Sequence, residues 1–205
     1  MTSKLGRNCL LALSAAAFVA ACKPRDNAAT DTTTSAGAVA TDSANRAATP
    51  AVGGWTDGQI LAFATAANHG EITEGTLAQT KATNAAVKAY ARQMVTDHKA
   101  MLAEGQAFAS KNSITPDSTK SDVTDLMKES QDEVKELTEK AKGADWDKEF
   151  IEHEIDAHKK VLEKLQNATQ ATTNPELKDL LTKASGKVQE HLTKAEDIKT
   201  NTLKS

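Results

Sequence analysis

The sequence predicts an all-α fold, a four-helix bundle with one additional crossover helix. Three observations carry that expectation. Apolar residues make up 39% of the 205-residue chain but aromatics only 3%, a composition of small-residue helices rather than of a β-sandwich. From Trp55 onward, apolar positions recur at three- and four-residue spacing, the period of a helix with one buried face. No stretch alternates apolar and polar residues for long enough to make a strand.

The elements follow from caps and breakers. Helix α1 starts at a cap on Thr56 or Asp57 and runs to about Lys81, and α2 runs from Asn84 to about Lys111. Ser113-Ile114-Thr115-Pro116-Asp117 interrupts the pattern before α3, which runs from about Ser121 to Lys142 and is stopped by Gly143. Helix α4 runs from Asp145 to about Gln170. Helix α5 opens at Asn174-Pro175, a cap followed by proline at the first helical position, and continues to about Asn201.

Residues 1–21 read as a secretion signal: Lys4 and Arg7, an apolar run from about Leu10 to Ala21, then Cys22. That run is shorter than the ~20 residues a membrane-spanning helix needs. Val19-Ala20-Ala21-Cys22 resembles the lipobox of bacterial lipoproteins, which implies lipidation of Cys22 as the first mature residue and a membrane partner through that lipid. Lys23, with no aspartate after the cysteine, points by the same resemblance to the outer membrane, with the domain facing the periplasm. Residues 22–54, rich in Ala, Thr, Asp, Ser and Gly, read as a disordered tether to a domain at 55–205. Cys9 falls in the signal and Cys22 carries lipid, so the mature domain offers no thiolate. Without Lys4 and Arg7, 23 basic face 28 acidic side chains. That balance, and the lack of a basic aromatic cluster, exclude nucleic acid as the expected partner.

Histidines interrupt three of the apolar stripes. In α5 the heptad is Leu177, Leu181, Ala184, Val188, His191, Ala195, Ile198; in α4 it is Ile151, Ile155, His158, Leu162, Leu165; in α2 it is Val87, Ala91, Met94, His98, Met101, Gly105, Phe108. Helix α1 reads either as Ile60, Phe63, Ala67, Gly70, Glu74, Leu77 or as Ala64, Ala67, Glu71, Glu74, Ala78, and both versions turn a carboxylate inward. Helix α3 carries Leu126, Ser130, Val134, Leu137 and Ala141 without a histidine and reads as a packing element. The inward polar residues all lie roughly 20–27 Å along helices of about 40 Å, so they meet near mid-bundle. With α3 as the crossover, α1, α2, α4 and α5 form the core, the arrangement of ferritin-like folds, which build metal sites from facing helices.

His98, His158 and His191, with Glu71 or Glu74 and with Glu154 as a further donor, are therefore the candidate ligands of one metal ion. Imidazoles with carboxylates suit zinc, copper, iron or nickel rather than calcium or magnesium. Asp97 and Glu190 each precede a core histidine and point about 100° away, which makes them partners that orient the ligands. His69 falls off the stripe and faces solvent. His153-Glu154-Ile155-Asp156-Ala157-His158 is no zinc-protease motif: its histidines are five residues apart, roughly 140° around the helix. His153 faces solvent or a neighbouring helix. The Glu-x-x-His pairs of ferritin-type di-iron centres are absent, and no nucleophile constellation suggests a catalytic residue.

With these residues in view, Trp55 to Thr200 resembles a family of bacterial secreted or outer-membrane proteins, a domain of unknown function assigned a ferritin-like four-helix fold. His69-Gly70-Glu71, the stretch Tyr90-Ala91-Arg92-Gln93-Met94-Val95-Thr96-Asp97-His98, Trp146-Asp147, Ala157-His158 and Glu190-His191-Leu192 carry the likeness. Phe150 stands where the family has a tyrosine. The resemblance implies the fold and the site but no activity. Three functional classes remain: transition-metal binding for storage, sensing or stress protection; a non-catalytic structural or interaction module whose histidines and carboxylates form a buried polar network; and a metal oxidoreductase, which needs an open coordination position and a substrate channel.

Overall fold

The computed structural model describes residues 54–203. The signal segment 1–21, Cys22 and nearly all of the 22–54 tether lie outside the described residues. The described chain forms α1 (Asp57–Lys81), α2 (Ala85–Lys111), α3 (Ser121–Glu139), α4 (Ala144–Ala171) and α5 (Pro175–Asp197), the last continuing into a π-helical turn, Ile198–Thr202. There is no strand among the described residues, and no described helix is long and apolar enough to cross a membrane.

Local chemistry sets most boundaries. Thr56 closes a capping box with Gln59: its hydroxyl accepts the Gln59 N–H at 3.1 Å, and its own N–H donates to Gln59 Oε1 at 3.1 Å. Asn84 caps α2 by accepting from Ala86 N, and Asn174 caps α5 by accepting from Glu176 N and Leu177 N ahead of Pro175. Beyond the end of α2 at Lys111, Ser113, with a φ of 54°, lets Ile114 N–H return to Ala109 O at 2.9 Å and seats Ile114 on the core.

Helix α3 ends three residues earlier than the sequence suggests, at Glu139 rather than Lys142. Its last carbonyls find side-chain donors instead of further helix. Trp146 Nε1 donates to Leu137 O at 2.8 Å, and Lys81 Nζ donates to Thr138 O and Lys140 O at 2.6 and 2.7 Å. Ala141 is consequently exposed, outside the stripe assigned to it. Gly143, at φ 150°, does not stop α3 but opens α4.

Contacts at the helix ends fix the path. The end of α1 meets the start of α4 where Asp147 accepts from Thr83 N, Asn84 N and the Thr83 hydroxyl. At the other end Thr172 donates to Asp57 at 2.9 Å, and Lys111 pairs with Glu176 at 2.9 Å. Lys199 meets Glu152 at 3.0 Å. Helices α1, α2, α5 and α4 therefore form a ring of antiparallel neighbours. Helix α3 runs parallel to α1 along its outer side and delivers the chain to α4.

The core falls into two apolar halves. One gathers Ile60, Phe63, Phe108, Leu165, Leu177 and Leu181; the other gathers Met94, Leu137, Trp146, Phe150, Ile151 and Ile198. Between them lie the buried polar residues Asn68, Glu71, Glu74, His98, Glu154, His158 and His191. Glycine brings the helices close at this level. A Cβ on Gly75 would lie 2.7 Å from Val95 Cγ2 and 3.3 Å from Ala91 O, and one on Gly70 would lie 2.6 Å from Ser130 Oγ.

Asp147 is the clearest tie between the α1–α2 loop and the start of α4, being 1% exposed and bonded to two backbone amides. Asp147→Ala strands those amides, and a loss of about 2–4 kcal/mol is expected, measured by urea unfolding.

Candidate metal centre

Three imidazoles from three helices meet in the polar layer. The ring centroids of His98, His158 and His191 are 5.1 to 5.8 Å apart, each residue is at most 2% exposed, and one nitrogen from each lies within 4.8 Å of the other two. Regular helix places them there, each occupying a stripe position that an apolar residue fills one turn away.

Their outer nitrogens are already committed, which fixes the tautomers. His158 Nδ1 lies 2.8 Å from the carbonyl of Glu154; a carbonyl only accepts, so Nδ1 carries the proton and Nε2 holds a lone pair. His98 Nδ1 lies 2.9 Å from Asn68 Oδ1, and Asn68 Nδ2 donates to Ala64 O at 2.8 Å, which settles the amide's orientation. His98 Nδ1 is therefore the donor, and Nε2 is free. His191 Nε2 donates to Asp97 Oδ2 at 2.9 Å and leaves Nδ1 bare. Ligand histidines in metal sites are held this way, by an acceptor on the nitrogen that does not bind.

The bare nitrogens face one another. His191 Nδ1 and His98 Nε2 are 3.3 Å apart, and in the neutral tautomers neither has a proton to share. Two nitrogens bound at 2.0–2.1 Å to one tetrahedral ion are separated by about 3.3 Å. His158 Nε2 is buried with no hydrogen-bond partner. A cation, whether a metal ion or a proton, removes the repulsion; burial acts against the proton. His158 is pushed down to about 4 by burial, and burial together with the neighbouring imidazoles holds His98 well below the usual histidine range. His191 is lowered too, chiefly by burial, with Asp97 opposing.

Carboxyls line the other side of His158. Its Nδ1 is 3.7 Å from Glu71 Oε1 and 3.4 Å from Glu154 Oε2, and Tyr90 donates its hydroxyl to Glu154 Oε2 at 3.3 Å. Glu71 Oε2 and Glu154 Oε1 are buried and unpartnered. Burial raises Glu71 to about 7 and raises Glu154 well above the usual carboxyl range, with the Glu71 charge adding to the latter. Acids shut in without a cation keep their protons.

A family model covers residues 40–198, the whole of the bundle to the end of α5. The chain belongs to the family described as a domain of unknown function, DUF4142. No curated protein and no solved structure matches it.

Within this DUF4142 domain the candidate residues separate into groups. His98, His158 and His191 form one donor set; Glu71, Glu154 and His158 form a second that shares a member with the first. Glu74 belongs to neither. It turns under α3, where Ser130 donates to its Oε1 at 3.1 Å, and burial with the charges of Glu71 and Glu133 raises it well above the usual range. Asp97 bonds His191 across the α2–α5 seam rather than its neighbour His98, while Glu190 lies exposed and pairs with Lys187 at 2.7 Å. His69 is exposed, and His153 is half-buried beside Glu136 and Glu149 at the α3–α4 surface. Glu149 there is already paired with Lys140.

Asn68, Tyr90 and Ser130 belong to the site and carried no assigned role in the sequence. Asn68 had a readable signal: Leu61, Ala64, Asn68, Glu71, Gly75 and Ala78 keep strict four- and three-residue spacing, and all but half-buried Ala64 are buried. Tyr90 and Ser130 follow only from the packing of α2 and α3.

The buried acids and imidazoles pull stability in opposite directions with pH. Between about pH 4 and 6.5 the unfolded histidines hold protons that the folded ones lack, so stability rises with pH. The folded Glu71, Glu74, Glu133 and Glu154 hold protons that their unfolded forms shed above about 4.5, so stability falls as pH rises. Above 6.5 only the acids contribute. The metal-free protein is therefore expected to lose melting temperature from pH 6.5 to 8, as read by calorimetry.

Proposed function

We propose that this DUF4142 protein binds one transition-metal ion through His98 Nε2, His158 Nε2 and His191 Nδ1, with the carboxyls of Glu71 and Glu154 behind His158 on its Nδ1 side. The observation that supports this most directly is that three bare imidazole nitrogens converge in a buried layer while each ring's other nitrogen is held by a separate acceptor. Three neutral imidazoles with carboxylates suit zinc, copper, iron or nickel. The role of such a centre is storage, sensing or stress protection. The ring of four helices, with α3 as the connection that reverses the second pair, is the path expected of a ferritin-like bundle, and it supports the same reading.

Each residue has a defined task. Asn68, Asp97 and the Glu154 carbonyl hold the rings in the tautomers that ligation needs. Glu71 and Glu154 supply negative charge once their protons leave, so ion uptake releases protons and strengthens as pH rises. Tyr90 keeps Glu154 in place.

The N-terminal signature supports attachment of this domain to the outer membrane through lipid on Cys22, facing the periplasm. Growth with a labelled fatty acid is expected to mark the wild-type chain and to leave Cys22→Ser unmarked.

Metal analysis of the purified protein tests the centre. One equivalent is expected in wild type and none in His98→Ala, His158→Ala or His191→Ala, while Asn68→Leu weakens affinity about 10- to 100-fold by releasing His98. The bonds among Asn68, Asp97, Tyr90, Ser130 and the layer also suit a purely structural network. Failure to retain metal, with a melting temperature indifferent to zinc, copper, iron and nickel, would establish that second reading.

A further inference from the structure

Two openings approach the polar layer from opposite sides. Between α2 and α5 lies a cleft of about 410 Å³ that reaches Asn68 and Asp97. Its walls are largely small and apolar at Ala64, Ala100, Gly105 and Ala184, and both polar residues at its floor are already bonded to histidine rings. Between α1, α3 and α4 lies a much smaller cavity of about 30 Å³, lined by Glu71, Glu74, Glu129, Ser130, Glu133 and Lys160 among others. That volume suffices for a water or an ion stripped of most of its shell.

The acids in the smaller cavity run from surface to centre. Glu129 has a side chain 43% exposed, Glu133 is half-buried, and Glu74 and Glu71 are 3% and 7% exposed. Glu71 lines the cavity and its Oε2 is buried without a partner; its Oε1 lies 3.7 Å from His158. A buried carboxyl oxygen without a hydrogen-bond partner is a donor that a cation can use once the acid loses its proton. Gly70 permits the arrangement, because a Cβ there would strike Ser130 and push α3 off the acids. At the mouth the Lys160 ammonium pairs with Glu129, both side chains well exposed.

We propose that divalent metal ions enter through this acidic slot, displacing the Lys160 ammonium at its mouth and passing from Glu133 to a holding site on Glu74 and Glu71 before reaching the three imidazoles. The proposal rests on the tri-imidazole reading and adds a route and a second, transient cation site to it. Exposed Glu129 at the mouth attracts cations, and ions lose their water stepwise as the inner acids give up their protons to them. Lys160 acts as the resident cation that keeps the mouth closed when no metal is present.

Stopped-flow uptake of cobalt(II), whose visible absorption reports its arrival among the imidazoles, tests the route on the full chain. Glu133→Gln is expected to slow association at least about threefold and Lys160→Gln to quicken it by a similar factor, with both folds verified by circular dichroism. At about pH 8, where Glu133, raised to about 7, has shed its proton, Glu104→Gln removes an equal charge at the α2–α5 cleft, and Gly105→Leu fills that cleft, where a Cβ meets open space; neither is expected to alter the rate. If Gly105→Leu slows uptake and Glu133→Gln does not, ions enter from the other side and the proposal is wrong. Equal slowing by Glu133→Gln and Glu104→Gln would reduce the effect to net charge and overturn it as well. A wild-type chain that takes up no cobalt refutes the tri-imidazole centre itself, whereas stoichiometric uptake at unchanged rates in all variants removes only the slot.

Discussion

Seven polar side chains closed into the middle of a helical bundle must satisfy one another, and the rest of this molecule is arranged around that demand. Burying an imidazole or carboxyl without a partner costs several kcal/mol in an apolar medium, of order 2–7 for a neutral group and more for a charge. The apolar halves on either side supply the compensating burial. The polar layer in turn prescribes how near the helices must come, since hydrogen bonds near 3 Å cannot form across an ordinary leucine-packed seam. Gly75 and Gly70 draw α2 and α3 onto α1, and Ala78, Ala91 and Ala195 at 0% exposure do the same elsewhere.

Helices with one buried face were legible in the sequence. The stripes through His98, His158 and His191 are regular because α2, α4 and α5 each turn one side to the core, so both the all-helical fold and the three histidines follow from spacing alone. Helix α1 is different. Its Leu61–Asn68–Glu71–Gly75 face enters the four-helix core, while its Ile60–Phe63–Ala67–Gly70–Glu74 face lies under α3. Two overlapping stripes blur into one broad signal, and a phase shift of one residue is 100° of rotation. That overlap dilutes the signal at Asn68, and Glu74 turns to Ser130 beneath α3 rather than toward the imidazoles.

The remaining differences arise from tertiary choices that a single helix does not encode. Asp97 and Glu190 both precede a core histidine by one position, yet the crossing of α2 and α5 gives His191 only one carboxylate, and it is Asp97. Glu190 is left to Lys187. The end of α3 likewise depends on Lys81 and Trp146, donors far away or later in the chain, whose bonds to the last carbonyls make further helical turns unnecessary.

The connection through α3 joins two helical hairpins, and the polar layer is divided between them. Asn68, Glu71 and His98 come from α1 and α2; Glu154, His158 and His191 come from α4 and α5. Neither hairpin owns a complete coordination set. An ion bound by all three imidazoles would thus act as a clasp between halves, and by reciprocity the factor by which it tightens their docking equals the factor by which docking tightens its hold on the ion. Two separately made fragments divided in the α2–α3 loop would then recognise each other in proportion to the metal supplied.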